Sequence, residues 1–507
     1  MSHSTFERFV ELARASQSRE DAQIVPVWRD TVFDADTPVS AFAKLRREPF
    51  GFLLESAPAG GETWARYTYL GTHPRAAWRF KDGVVEDWDP RSGWHNPRTP
   101  GDPLADLDVI VSAPRPIEIP ELGAFWTGAV GYFGYDIVRL IEKLPNRKTA
   151  RLEIPDALFV LTRAMVIVDN LRAQARIVVS VVVNRDASDD ALRKEYDAAI
   201  HEIEEIESGL AEPSRLGPLT LDNEAPVASG RSNMDRETFM SRVERIREYI
   251  RAGDCFQALI SRRIDLRADF PSGLLYRALR ALNPSPYMYH LVLDGVELVG
   301  SSPELLVRLA DNHVTLRPIA GTRPRGKSTE EDERLSKELM ADPKERAEHI
   351  MLVDLGRNDV GRVARYGSVK VTELMKIEKY SHVLHIVSQV EGKLQRDLSA
   401  MDVFRATFPA GTMTGAPKVR AMEIIDELEN ESRGPYAGAV GYISGGGRRM
   451  DLAITIRTCV IAEGVASIQA GAGIVADSVP ETEWEETESK ARALLAAIGQ
   501  VRASSRD

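Results

Sequence analysis

The chain has 507 residues, 43% apolar and 28% charged, and its 65 Lys and Arg against 76 Asp and Glu leave a net charge of −11. That acidic balance excludes a nucleic-acid-coating role, which needs clustered cations, and no run approaches the ~18 apolar residues of a membrane span. Two distant cysteines, Cys255 and Cys459, exclude a disulfide framework, and the early Glu7 and Arg8 leave no apolar signal segment, so a reducing, cytoplasmic setting is expected. Length alone suggests about three domains.

In chain order, the first third mixes strands, turns and some helix. The β-branched run 177–183 predicts a strand, and the charged, Ala-rich stretch 190–206 has helical period. From Pro213 to Ser232 the pattern breaks into Pro, Gly, Ser and Asn, a linker dividing region 1–212 from region 233–507. Phe239, Val243, Ile246 and Ile250 then recur at helical spacing, and Gly253 closes the helix. Strands follow at 291–300 and 314–318, and a long helical region at 329–355 is interrupted by Pro343. The segments 437–444, 450–461 and 465–470 read as three strands joined by Gly445-Gly446-Gly447 and Glu463-Gly464, an antiparallel meander. A helix at 481–500 completes an α+β fold.

Two helices carry unusual carboxylates. Asp342-Pro343-Lys344-Glu345 fits a helix start, so Glu345 is open to a capping role. Glu348 projects between the directions of Leu352 and Leu355, where a carboxylate needs a proton, a cation or strong donors. In the last helix, Glu481, Glu485, Glu488 and Arg492 form a solvated side. Glu483, Thr487, Lys490, Leu494 and Ile498 share the opposite side, with Glu486 at its edge. Carboxylates three apart on each of two helices suggest a hard divalent cation, Mg²⁺. His382 and His385, also three apart, keep zinc in view, although no Cys or third His has suitable spacing.

Gly471-Ala472-Gly473-Ile474-Val475-Ala476 has dinucleotide-fingerprint spacing, but Asp477 to Pro480 separates it from a helix and its neighbours form a meander. Gly411-Thr412-Met413-Thr414-Gly415-Ala416-Pro417-Lys418 fails the phosphate-loop spacing. Both read as tight turns whose backbone N–H groups approach a ligand. On the 450–461 strand, Ala453, Thr455, Arg457 and Cys459 share a face, leaving the Arg457 fork for a carboxylate ligand or a structural ion pair. A small polyanion fits, with Mg²⁺ on one carboxylate and Arg457 and glycine N–H groups on another.

Arg317-Pro318-Ile319-Ala320-Gly321-Thr322-Arg323-Pro324-Arg325-Gly326, Ala347-Glu348-His349-Ile350-Met351-Leu352-Val353-Asp354-Leu355 and the two glycine-rich segments resemble the chorismate-utilising enzymes, most nearly the anthranilate synthase component I family. The resemblance covers almost the whole chain and is densest from about residue 235 to 498. It implies a two-domain α/β sandwich with mainly antiparallel β-sheets. It implies that Glu348 and Glu486 hold Mg²⁺, with Glu345 and Glu483 supporting through water. Arg457, Tyr436 and the backbone of Gly471, Ala472 and Gly473 would hold the enolpyruvyl carboxylate of chorismate, and Lys490 would face the ring carboxylate. Glu304 would protonate the departing C4 hydroxyl while ammonia adds at C2. His385 and Thr412 would assist loss of pyruvate to give anthranilate, with Gly321 and Thr322 also lining the substrate.

Single positions separate the relatives. Aminodeoxychorismate synthases typically carry a nucleophilic Lys where Ala320 stands. Isochorismate synthases typically carry a Lys base where Gln257 stands, which ammonia does not need. Leu54, Glu55 and Ser56, with Pro286, Tyr287 and Met288, resemble this family's L-tryptophan feedback pocket; the plainer reading is a strand end packed on a loop. The resemblance also implies a glutamine amidotransferase partner as ammonia source, as a pair or doubled to a heterotetramer, because neither Cys255 nor Cys459 stands on a Gly-rich nucleophile elbow. A non-catalytic tryptophan-sensing relative would have lost site acids, and these are present.

Overall fold

The computed structural model describes residues 3–15, 22–56, 66–145, 148–222, 224–380 and 383–504. Its described strands form two large sheets, of thirteen and twelve strands. Every pairing among them is antiparallel except that of Ala22–Val32 with the two-residue Arg115–Pro116. The α+β class expected from the meander is therefore what the chain adopts.

The two sheets face one another across a shared core. Leu53, Leu70, Tyr289 and Val299 of the first pack with Val130, Tyr132, Leu158 and Val160 of the second. The strand Gly128–Phe133 shows how this arises. Its alternate residues Val130 and Tyr132 enter the inter-sheet core, while Ala129 and Phe133 pack with Leu104 and Phe404 of the covering helices Pro103–Ser112 and Ala400–Thr407. A strand apolar on both faces is buried on both.

Strands from either side of 213–232 enter both sheets. Phe50–Glu55 pairs with Tyr287–Leu293 in the first, and Gly128–Phe133 pairs with Ala439–Ser444 in the second. The stretch itself is strapped to the last helix, Pro480–Ser504: Ala228 N donates to Leu495 O (3.1 Å) and Asp222 N to Gln500 Oε1 (2.8 Å). It marks a change of composition, and both regions are woven into both sheets.

Several expected elements hold with shifted ends. The 177–183 strand runs Gln174–Asn184, the 190–206 helix runs Asp189–Ala211, and the 329–355 region is Thr329–Ala341 followed by Pro343–Gly361. Gly253 closes its helix in the left-handed conformation, as expected. Two expectations are corrected. The single strand at 291–300 is a hairpin, Tyr287–Leu293 and Val296–Ser302, turned by Asp294 and Gly295 with φ of 45° and 88°. The single strand at 450–461 is two strands in different sheets: Met450–Ile454 joins the second and Thr458–Ala462 the first. Arg457, with φ of 51°, interrupts the run, so the face alternation expected across it fails. Among the described residues no helix is long and apolar enough to cross a membrane.

The strap gives a test of the fold. A Cβ on Gly499 would lie 2.1 Å from Pro226 O, so Gly499→Ala must displace the strap. It is expected to cost about 1–3 kcal/mol and lower the thermal midpoint. A midpoint equal to that of the parent chain would show that the strap is not fixed on the helix.

Candidate active site

The predicted residues converge on Lys490. Its position four residues after Glu486 on the last helix gives the ion pair (2.5 Å), and the helix lies against the strand Val465–Ile474, so Nζ also donates to Gly471 O (3.0 Å). The Lys490 charge is felt at Glu304, Glu348, Glu483 and His385. Residues from four separate parts of the sequence thus surround one ammonium group.

The carboxylates crowd on one side. Burial pushes the Glu348 carboxyl up, and the negative charges of Glu345 and Glu486 push it further. Burial likewise raises Glu483, with Glu486 adding to it and the Ser478 hydroxyl opposing. Asp342 is the N-cap of Pro343–Gly361, accepting from Lys344 N (2.9 Å) and Glu345 N (3.3 Å). Glu345 does not reach back to that cap; its Oε1 accepts from Arg323 Nη1 (2.9 Å), while Arg323 Nη2 donates to Asp342 (3.0 Å). Among the described residues no three imidazole, thiol or carboxylate groups form a ready-made metal cluster. Carboxylates from two helices, with Glu348 repelled by Glu345 and Glu486, and Glu483 by Glu486, fit a cation that takes one or two direct carboxylates and keeps several waters.

His382 lies outside the described residues. His385 turns Nδ1 toward Gly321 O (2.9 Å) and Thr322 Oγ1 (3.2 Å). A proton on Nδ1 donated to the carbonyl leaves Nε2 as a free base. Burial lowers the imidazole's affinity for a second proton. The Tyr380 ring lies edge-on at 5.4 Å and 71°.

On the other side stands Glu304, in the bend between Val296–Ser302 and Leu305–Ala310. It is buried, and burial pushes its carboxyl up to about 7, against the opposing Thr412 hydroxyl bond (2.9 Å) and Lys490. Thr412 is carried by the short turn Gly411–Met413. Arg457 emerges where the chain passes between sheets, and no described side chain closes an ion pair or hydrogen bond with its fork. Burial disfavours its charge, and Tyr436 and Glu486 favour it. Of its two sequence readings, the structural ion pair has no partner among the described residues. Burial also raises the Tyr436 phenol.

Gln257 is buried with its Oε1 unpartnered, and a Cβ on Gly473 would lie 2.4 Å from its Nε2. Glycine at 473 thus makes room for the Gln257 amide. A Cβ on Gly471 would lie 2.7 Å from Ile260 O. Ala472 points the opposite way, into a core with Ala258, Ile260 and Ile424, so only its backbone faces the site. Ala320 pairs with Ile386, one residue before the bulge that carries Gly321 and opens at Thr322 opposite His385. Arg323 and Tyr380, which orient Glu345 and His385, were not assigned roles from sequence; a cation three residues past Ala320 was the available signal for the first.

Leu54, Glu55, Ser56, Pro286, Tyr287 and Met288 together line a separate cavity of about 360 Å³. Glu55 is already engaged there, accepting from Tyr276 OH and from Arg280 Nε (3.1 Å). Asp451 is a second lining carboxylate, held by Arg308 Nε (2.8 Å) and Tyr287 OH (3.2 Å). Arg308 escaped sequence reading because its strand meets the hairpin of Tyr442 and Asp451 from more than a hundred residues away. Pro303 and Tyr380, neighbours of Glu304 and His385, line the same cavity.

Comparison with known proteins adds the remaining finding. The family described as chorismate binding enzyme matches residues 90–496. Anthranilate synthase component 1 of Aquifex aeolicus (strain VF5) is 45% identical over 490 residues, covering 96% of this chain and 97% of the relative. The crystal structure of anthranilate synthase component I from Streptococcus pneumoniae TIGR4 superposes with a TM-score of 0.73 at 34% identity, covering 92% of this chain and 99% of that one. The menaquinone-specific isochorismate synthase from Escherichia coli shares the fold, with a TM-score of 0.69 at 19% identity and coverage of 97% and 98%.

The raised Glu304 carboxyl has a measurable sign. Its folded value of about 7 lies above the ordinary 4.5, so the stability it contributes is full below pH 4.5 and is lost as pH rises through 7. Glu304→Gln is expected to equal the parent chain in urea melts near pH 4.5 and to exceed it at pH 8 by up to about 3 kcal/mol. A difference that stays constant across this range would mean that Glu304 is ionised throughout.

Proposed function

The chain belongs to the chorismate-binding enzymes and, among them, to the anthranilate synthase component 1 group, and from that membership we propose how its clustered side chains convert chorismate. The enolpyruvyl carboxylate lies against the Arg457 fork, the Tyr436 hydroxyl and the backbone N–H groups at Gly471 and Gly473. The ring carboxylate lies toward Lys490 and the acidic helices. Glu348 and Glu486 would hold Mg²⁺, with Glu345 and Glu483 in support, and the ion would supply positive charge for the ring carboxylate. The mutual repulsion of these acids supports that assignment.

Glu304 carries the first half-reaction. Its carboxyl is held near 7, so at neutral pH it still has a proton to give to the C4 hydroxyl, which leaves as water. Ammonia adds at C2 as the ring double bond shifts, giving 2-amino-2-deoxyisochorismate. Gln257 presents a buried amide oxygen and no basic group, which suits a nucleophile with its own lone pair. His385 Nε2 takes the C2 proton, the bond between ring C3 and the enolpyruvyl oxygen breaks, and enolpyruvate leaves and takes up a proton to become pyruvate, with anthranilate as the aromatic product. Thr412 shares its hydroxyl with Glu304 and faces the same substrate edge. The reading rests most heavily on Glu304, whose carboxyl is held near 7, and on Arg457, whose fork has no partner among the described residues. Gln257 and Ala320 both favour amination to anthranilate over isochorismate or aminodeoxychorismate formation.

Ammonia comes from a glutamine amidotransferase partner, as the name component 1 of the relatives suggests. Both thiols are buried, and burial pushes Cys459 up to about 12, which suits structural side chains rather than a glutaminase nucleophile. The pair operates in the cytoplasm, singly or as a heterotetramer. The 360 Å³ cavity receives L-tryptophan, the pathway's end product, between Pro286, Tyr287 and Met288 and the Leu54–Ser56 strand end. Pro303 and Tyr380 in its wall connect an occupant to Glu304 and His385, so binding biases both chemical groups.

Purified protein with chorismate, Mg²⁺ and an ammonium salt is expected to form anthranilate, read by its fluorescence. Accumulation of aminodeoxychorismate instead would overturn the assignment. Glu304→Gln is expected to lower kcat by about 10²–10⁴-fold. Glu348→Gln is expected to abolish turnover and to weaken Mg²⁺ binding in titration calorimetry with unchanged circular dichroism; normal Mg²⁺ affinity in that variant removes its ligand role. Tryptophan is expected to raise the apparent KM for chorismate, and indifference to tryptophan at every concentration would dismiss the feedback pocket.

A further inference from the structure

Beside the site lies a buried cation that the chemistry above does not use. Arg433 is 4% exposed. Its Nε and Nη2 both donate to Glu429 (2.8 Å each), Nη1 donates to Met413 O (2.8 Å), and Nη2 also donates to Leu259 O (3.2 Å). The guanidinium lies over the Tyr135 ring at 4.7 Å and near Tyr436 at 5.9 Å. Glu429 is itself fixed by Ser261, whose N–H (2.8 Å) and hydroxyl (2.7 Å) both donate to Oε1.

A buried ion pair is a weak device for stability, because desolvation offsets much of the attraction. Its value here lies in what the fork grips. Met413 follows Thr412, whose hydroxyl reaches Glu304. Leu259 lies two residues beyond Gln257 on the strand Gln257–Arg267. Arg433 O accepts from Tyr436 N (3.2 Å). The planar group therefore ties the turn of the acid's hydrogen-bond donor to the strand bearing Gln257 and lies near the Tyr436 ring, while the Arg433 backbone holds Tyr436 N. Arg supplies several N–H donors in a fixed plane, and Lys cannot reproduce that geometry.

We propose that Arg433 is a positioning residue that sets Thr412 and Tyr436 against opposite ends of bound chorismate, acting through its fork on Met413 and Glu429. This rests on the chorismate reading above. Arg433 touches no reacting atom; its effect passes through Thr412, which with Lys490 opposes burial at Glu304, and through Tyr436.

The test compares Arg433→Lys, Thr412→Val and the double variant in the ammonia-dependent reaction across pH. Arg433→Lys is expected to lower kcat at least tenfold, to raise the chorismate KM, and to shift the Glu304 limb of the pH–rate profile upward. Thr412→Val is expected to give the same upward shift with a KM near that of the parent. The double variant is expected to lose no more kcat than Thr412→Val alone, since the kcat effect of both passes through the Thr412–Glu304 hydrogen bond, while the KM effect of Arg433→Lys passes through Tyr436. Multiplicative losses in the double variant, or a pH limb unmoved by Arg433→Lys, would overturn the proposal. Ser261→Ala, which loosens Glu429 without touching Arg433, covers the case in which Arg433→Lys does not fold. It is expected to shift the same limb in the same direction by less, and no shift counts against the proposal. If the parent chain makes no anthranilate, the chorismate reading fails instead, which is a distinct outcome.

Discussion

Everything in the site depends on one passage of chain. Between Ile454 and Thr458 the backbone leaves one sheet and enters the other. Arg457 takes a left-handed conformation there, with φ of 51°, a state costly for a residue with a Cβ and sustained only where the surroundings fix it. They do so by hydrogen bonds: Ser301 N to Arg457 O (3.1 Å), Ala437 N to Thr455 O (3.0 Å) and Thr455 N to Gly438 O (3.0 Å). The same bonds bring the strand that ends at Ser302, two residues before Glu304, and the loop that carries Tyr436 against the crossing. The acid, the cation and the phenol are all carried to this crossing because the chain passes from one sheet to the other here.

The electrostatics follow from that geometry. Burial is the largest influence on Glu304, Glu348, Glu483, His385 and Arg457, and in every case it favours the neutral form. A site that disfavours charge of both signs while holding many ionisable groups is poised for a charged ligand to restore balance. Lys490 sits at the centre of this arrangement, with Glu486 and Gly471 O as its fixed partners. The overall charge of −11 conceals this local balance of acids and cations.

Much of this was legible in the sequence, for reasons that differ by residue. The helix faces of Glu348, Glu483 and Lys490 follow from a 3.6-residue period, which holds along an uninterrupted helix such as Pro480–Ser504. The strand alternation assigned to 450–461 failed because period-two reasoning presumes unbroken extended backbone, and a single positive φ at Arg457 resets the register. The hairpin at Asp294-Gly295 carried its own turn signal and could have been read. Arg433, Arg308 and Asp451 could not. Their meaning lies in partners such as Leu259, more than a hundred residues away from Arg433, and no local pattern records such pairings. Even Glu345, well read as lying at a helix start, turned out to be held by Arg323 from a neighbouring strand.

The weaving of the two sheets also has a consequence for the birth of the chain. Phe50–Glu55 lacks its neighbour Tyr287–Leu293 until more than half of the protein has been made. Gly128–Phe133 waits for Ala439–Ser444, about 300 residues further on, which at ~5–20 residues per second is a delay on the order of tens of seconds. During that interval the early strands leave the ribosome with open edges and an apolar face uncovered. Synthesis of this enzyme therefore leaves unpaired strand edges exposed until their late partners are made, an interval in which non-native edge pairing competes with the fold.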